Sequence, residues 1–430
     1  MDKESLHKIL LQVSEPHEVS NVWKRSYTEA GVFSYGEEDV MRVSKAVKIL
    51  LGDNNIRYSF SSKDLEEKIF RLTEKTLNVG NVEKEEIIQS WIDEFEAEIN
   101  KKVDNFEVVI PIENFKITSN LDVGDVEFFV FDKTYCSKWF PDSTTEDDKK
   151  LEKNKKPPDI IENQLMNRTC GSVRIKGSPE YVIEAGRNKI SLALNILRLF
   201  TYVRGDDFYR RYFGLKETLT CNGVDGVYLV TDKGLKVESH YRTGFLFPFE
   251  VDDNRKMYME HTGFGVICNI LKKPKLTDLE ERLLTSIFWF GQAMSVQCIK
   301  ERKNDLKSDK FYELASYSFE ADRFIKIITS LESLFLRGEE PKRNTLSERM
   351  ALLLADDLRS RLLIYEMMKE IYEHRSRIVH GGDTFMSTME LDSLAGLAQA
   401  AIFRVLEKIK TKELKTLTDL YTFFEVQKFK

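Results

Sequence analysis

Arg375-Ser376-Arg377-Ile378-Val379-His380, followed at once by Gly381-Gly382, is the stretch on which the reading of this chain turns. It closes a periodic segment expected to be one long helix from about Leu358 to His380. On a wheel of 100° per residue with Ile371 at zero, Ile364, Met367, Met368 and Ile378 fall within about 60°, and so does Arg375. An arginine on an apolar stripe needs a partner or a task, because a guanidinium out of water without either is costly. His380 stands about 140° round the helix from Arg375. The two meet at one substrate only if the helix frays at Gly381-Gly382, or if a second copy of the chain supplies the complement.

The residues around the motif read as helix from Leu276 onward. Thr277-Asp278-Leu279-Glu280 is a capping-box pattern opening a helix through Ile287-Phe288-Trp289-Phe290 that is apolar all round, so burial is expected. A second helix runs from about Phe311 to Arg337 and ends at Gly338, with Phe324, Ile328, Leu331 and Phe335 on one face. Glu339 to Asn344 reads as a polar loop, and Thr345-Leu346-Ser347-Glu348 as a second capping box starting a helix through Met350 and Leu354. After the motif helix comes a last long helix, from roughly Met386 to Lys410.

Towards the N-terminus the texture differs. Residues 1–105 are expected to be mostly helical, with amphipathic segments Asp64–Val79 and Val82–Val103 broken at Gly80-Asn81. Residues 106–275 are strand-rich: Phe106–Pro111, Val123–Phe131, Ser172–Lys176, Val227–Thr231 and Leu235–Tyr241, with Thr231-Asp232-Lys233-Gly234 as a hairpin turn. Ser178-Pro179 starts a helix through Phe200. Asp147–Asp159, with its lysines and Pro157-Pro158, reads as a solvated loop or linker. The fold class expected is therefore an α+β N-terminal region to about 275, then an all-α domain over 276–430.

Composition narrows the function. A net charge of -6 argues against a wholesale nucleic-acid coat, so any phosphate contact has to come from a local basic site. The five cysteines (Cys136, Cys170, Cys221, Cys268, Cys298) are odd in number and scattered, which fits neither a zinc site nor a disulfide framework. No run approaches the 18 or so apolar residues of a membrane span. Met1–Val13, with Asp2, Lys3, Glu4, His7 and Lys8, is no secretory signal, and a cytoplasmic setting is expected. No nucleotide-binding glycine loop or nucleophile elbow is present. His7, His17, His240 and His261 have no neighbours that suggest a site.

The C-terminal third resembles the HEPN domain, whose signature is an arginine followed four to six residues later by a histidine, and more closely its Apea-like subgroup. The residues that carry the resemblance are Trp289 in the first helix and Ser330-Leu331-Glu332-Ser333-Leu334-Phe335 in the second. Leu346–Leu353 in the third and Tyr372–Gly381 in the fourth complete it. The resemblance implies a helical bundle that cuts RNA without a metal or cofactor, in a site assembled across a homodimer. Arg375 and His380 would be its catalytic residues. HEPN motifs commonly place Asn after the arginine; Ser376 stands there in this chain. In a bacterium the resemblance further implies an abortive-infection effector in anti-phage defence, cutting RNA such as tRNA. A phage-derived trigger would be sensed by the N-terminal region, with no membrane involved.

The chemistry wants these residue types. Cleavage by the substrate's own 2′-hydroxyl needs an acid or base that titrates near neutrality, which histidine supplies. It also needs a fixed cation on the phosphate as charge builds, and the arginine fork meets phosphate oxygens in pairs. Plainer readings stand beside this one. His380 can be a helix-ending histidine favoured by the dipole. Arg375 can pair with Glu332, and Arg377 with Glu373 four residues earlier. His374 can serve packing or face RNA, and Ser376 can let two motif helices approach closely. The alternative class is a non-catalytic HEPN module that binds RNA or nucleotide, or that dimerises, without turnover.

Overall fold

The structure, a computed structural model, describes residues 24–28, 31–35, 37–52, 54–57, 62–76, 79–102, 104–135, 165–202, 213–215, 224–231, 234–241, 248–295, 310–338, 340–381 and 388–429, together with residues 7, 8, 10, 11 and 60. The chain forms two compact units, Met1–Val108 with Val173–Asn188, and Val109–Ser172 with Lys189–Lys430. It is mostly helical, with a small sheet in its N-terminal half and helices throughout the C-terminal region.

In the first unit, strands β1 (Lys24–Thr28) and β2 (Gly31–Tyr35) pair antiparallel, Lys24 opposite Tyr35. This hairpin lies in a stretch expected to be mostly helical; two five-residue strands are too short to show against a helical background. Helices α1 (Glu37–Leu50), α2 (Asn54–Arg57), α3 (Ser62–Thr76) and α4 (Asn81–Lys102) follow. The last two match the amphipathic segments, and they break where expected. Their core joins Leu65, Ile69 and Leu72 to Ile88, Ile92 and Phe95, with Val43, Val47 and Leu50 of α1. Lys68 and Glu98, 2.8 Å apart and part-buried, tie α3 to α4.

Strand β3 (Asp104–Pro111) leads into β4 (Phe115–Ile117), β5 (Leu121–Val123) and β6 (Val126–Val130), and then, after residues 136–164, into β7 (Thr169–Gly177). The four-stranded sheet has the order β3-β7-β6-β5, with β5 and β7 each antiparallel to β6. Val123–Phe131, expected as one strand, is instead folded back at Gly124. That residue has φ +63°, and a Cβ there would lie 2.9 Å from Cβ of Leu271. The expected linker at 147–159 lies outside the described residues. Helix α5 (Pro179–Thr201) starts at the expected signal, with the Ser178 hydroxyl accepting from the Tyr181 amide at 3.3 Å.

Strands β8 (Val224–Thr231) and β9 (Gly234–Tyr241) make the expected hairpin, Thr231 opposite Gly234. Strand β10 (Phe249–Val251) pairs parallel with β4. The strand-rich reading then ends early. Helices α6 (Asp253–His261) and α7 (Phe264–Leu271) occupy the end of that region, α6 capped by the Asp252 side chain, which accepts from the Arg255 amide at 2.8 Å.

Six helices complete the second unit: α8 (Asp278–Ser295), α9 (Lys310–Phe335), α10 (Lys342–Leu354), α11 (Leu358–Gly381), α12 (Thr388–Lys410) and α13 (Leu417–Gln427). The first capping box is present: the Glu280 amide donates to Thr277 Oγ1 at 3.4 Å, and the Thr277 amide to Glu280 Oε2 at 3.0 Å. Helix α8 is not buried all round, since Phe288 is 38 % exposed. The second expected box does not act as one. Helix α10 begins three residues before Thr345, with Pro341 as its N-cap, and the Thr345 amide donates to the Pro341 carbonyl at 3.1 Å inside the helix. Helix α13 was not expected, although Thr416 and Asp419 form a complete capping box at its start. Among the described residues no helix is long and apolar enough to cross a membrane.

Helix α9 packs against α8, α10, α11 and α12. Phe324, Ile328, Leu331 and Phe335 are all buried on it, as their spacing requires, and each such side chain contributes roughly 1.5–3 kcal/mol of transfer free energy. Gly291 of α8 meets α5 so closely that a Cβ would lie 2.3 Å from Cβ and 2.5 Å from Cα of Asn195. Gly291→Ala should therefore cost about 3 kcal/mol by forcing a helix shift. Urea unfolding of the two proteins checks this, and an unchanged midpoint would mean that α5 and α8 do not approach as described.

Candidate functional site

The site is built on the second half of α11. Helix α11 is held by α10 and α9, and its buried centre is Met368 and Tyr372. Ile364, Met367, Ile371 and Ile378, expected on a covered stripe, are half-buried. Gly381 is still helical. The helix therefore does not fray there, and Arg375 and His380 keep the angular separation of a regular helix.

Arg375 is half-buried, with its guanidinium Cζ 5.8 Å from the centroid of the Tyr372 ring. Its Nε is buried and has no hydrogen-bond partner. The expected ion pair with Glu332 is not formed. Glu332, half-buried on α9, instead accepts a hydrogen bond from the Tyr372 hydroxyl at 2.7 Å. Burial, and then the bond to Glu332 and its negative charge, push the Tyr372 phenol well above its ordinary value of 10; Arg375 pulls the other way. Tyr372 thus meets a carboxylate through its hydroxyl and a guanidinium through its ring.

The remaining motif residues divide between core and surface. His374 is 8 % exposed, its ring 5.6 Å from that of Phe324 and its Nδ1 3.8 Å from Glu390 Oε1 on α12. This is the packing position of the two that the sequence allowed. Ser376, Arg377 and His380 are exposed, with His380 in the last turn. Glu373, expected to pair with Arg377, makes an ion pair with Arg343 in the first turn of α10. That contact sets the start of α10, which carries Lys342 and Arg343 and no acidic residue, beside the end of α11. Among the described residues no three metal-ligating side chains gather.

Sequence reasoning gave no role to Tyr372 or Arg343. The signal for Tyr372 was available: it lies three residues before Arg375, hence on the same side of the helix. Arg343 carried none, since the contact depends on how α10 and α11 meet. A scan against family models, a search of curated proteins and a search of solved structures find no match to this chain.

Because the folded-state phenol titrates above its unfolded value, Tyr372 favours folding fully below about pH 10, and the contribution is lost as pH rises further. In the folded protein Tyr372 should contribute no phenolate absorbance up to about pH 11. Difference titration against Tyr372→Phe measures this. A phenolate missing from the variant in that range would show that the hydroxyl is not a buried donor.

Proposed function

We propose that the chain is a metal-independent endoribonuclease of the HEPN type, acting as a homodimer, with Arg375 and His380 as its catalytic pair. The observation that carries the reading is the state of Arg375. Among the described residues it makes no ion pair and no hydrogen bond, and its Nε–H is buried without an acceptor. Leaving such a donor unmade costs roughly 1–3 kcal/mol, and a group left so calls for an explanation. The rest of the half-buried guanidinium is committed to no carboxylate, and a phosphate oxygen is the acceptor that its Nη atoms would take.

In this reading the RNA 2′-hydroxyl attacks the adjacent phosphorus. The 2′ O–P bond forms as the bond to the 5′ oxygen breaks. One imidazole takes the 2′ proton, and a protonated imidazole gives a proton to the departing 5′ oxygen. The products are a 2′,3′-cyclic phosphate and a free 5′-hydroxyl. Arg375 holds the non-bridging oxygens as their charge grows, a term that acts in the transition state and so raises the rate. A regular helix through Gly381 keeps Arg375 and His380 about 140° apart, so two motif helices related by a two-fold axis would complete each site. Exposed Ser376 and Arg377 would flank the RNA, with His374 and Glu332 in support. The defence role, with tRNA among the substrates and a phage-derived trigger acting through the N-terminal region, belongs to the same proposal.

Purified protein in chelator should cut RNA and leave cyclic phosphate ends, and His380→Ala should abolish the cut while the protein stays folded. Binding without turnover would favour the non-catalytic module, and a fully active His380→Ala protein would remove the assignment.

The shared site has its own test. Arg375→Ala and His380→Ala proteins, each inactive, should regain part of the activity once mixed and allowed to exchange subunits. A monomer that cleaves RNA at working concentration would rule the shared site out.

A further inference from the structure

We propose that Tyr372 is the positioning residue for Arg375: tethered to Glu332 through its hydroxyl, it holds the guanidinium against its ring and leaves the N–H fork open to a phosphate. The inference rests on the reading of Arg375 as a phosphate ligand and names what aims it.

Three observations stand behind it. The guanidinium lies 5.8 Å from the ring centroid, inside the range of cation–π attraction. The Tyr372 hydroxyl donates to Glu332 Oε1 at 2.7 Å, which fixes the ring against α9. Among the described residues Arg375 has no hydrogen bond or ion pair, so the ring of Tyr372 is what orients it. A direct pair with Glu332 would also have fixed the arginine, but it would have occupied the fork and cancelled the charge meant for phosphate. The ring separates those two effects. Donating to a carboxylate makes the phenol oxygen more negative and enriches the ring face, so Glu332 strengthens the hold on the cation without touching it. The raised phenol pKa keeps the donor protonated at any working pH.

The test is a double-mutant cycle on the full-length protein, each variant first confirmed folded by thermal unfolding. Tyr372→Phe keeps the ring and loses the tether. It should lower kcat about 10-fold to 100-fold and raise KM by a smaller factor, about 3-fold to 10-fold, because the aimed guanidinium meets the phosphate in the bound state and more strongly in the transition state. Glu332→Gln keeps an acceptor for the phenol and should fall between Tyr372→Phe and the parent. In an Arg375→Ala background Tyr372→Phe should add nothing, a coupling that a residue serving stability alone would not show. The same cycle is run on the affinity for a 2′-deoxy oligonucleotide that cannot be cleaved, so it stands even where Arg375→Ala leaves no measurable rate. Additive effects in both cycles would overturn the positioning role, and the ribonuclease reading would survive if His380→Ala still abolishes cleavage. Coupled effects on affinity in a protein that never cleaves would keep the positioning role and sink the ribonuclease. A wild-type protein that neither cleaves nor binds the oligonucleotide would end both.

Discussion

Helix α9 is the floor on which the C-terminal region is laid. Arg323, Phe324, Ile327, Ile328, Ser330, Leu331, Leu334 and Phe335 are all buried along its second half. Its contact with α8 is closed by small side chains: Ser286 Oγ and Ser330 Oγ are 2.9 Å apart, and Ser330 also donates to the Ser286 carbonyl at 2.7 Å. Small residues let the helices come near, and the hydroxyl bonds satisfy the polar atoms that this buries. The end of α9 is finished by Arg282, which donates to the Leu336 carbonyl at 2.5 Å. With the floor set, Glu332 is left half-buried along it, and Tyr372 on α11 reaches that carboxylate. Helix packing and site geometry are therefore one problem: a shift of α9 against α11 moves the tether and the arginine with it.

The buried arginines of this unit show how the chain treats a guanidinium out of water. Arg349 makes a two-armed pair with Glu340, at 2.7 and 2.8 Å. Arg323 donates to the Ala293 carbonyl at 3.1 Å. Arg198 donates to Asn195 Oδ1 at 2.6 Å and to the Phe213 carbonyl at 2.5 Å, and burial lowers its pKa to about 9. Each has at least one acceptor, although Arg198 Nε, like Arg375 Nε, is buried without one. Arg375 has the ring of Tyr372 beside it and no acceptor among the described residues. Against its neighbours it is a guanidinium held ready rather than used, and that contrast supports a phosphate-binding role more than the motif spacing alone does.

The surface of α11 fits the same reading. His380 is exposed near one end of the helix, and Leu358, Leu362 and Leu363 are exposed near the other. Lys342 and Arg343 stand at the start of α10 beside the motif, although Arg343 is committed to Glu373. Basic and acidic groups alternate around this end of α11, with Glu373 on Arg343, Glu390 near His374 and Glu332 on Tyr372. Phosphate attraction depends on the local potential, since screening confines it to about 10 Å at ordinary salt.

What the amino-acid order determined by itself is local. The periodicity around Ile371 fixed the extent of α11, Ser178-Pro179 the start of α5, Gly80-Asn81 the break between α3 and α4, and Thr277 with Glu280 the cap of α8. In each case the interacting atoms lie within one or two turns, so the preference is written into neighbouring residues. The same locality marked Arg375 and His380 as a pair on different faces. Local patterns also misled where something outside them was stronger: the Thr345 box yielded to the earlier start at Pro341, and Val123–Phe131 folded back at Gly124 under Leu271. The tertiary structure alone decided that Glu332 meets Tyr372 rather than Arg375, that Glu373 meets Arg343 rather than Arg377, and that His374 turns into the core. Each choice sets side chains on different helices against one another, and which of several acceptors a donor reaches depends on helix separation and rotation, to within an ångström or two, that no single helix encodes.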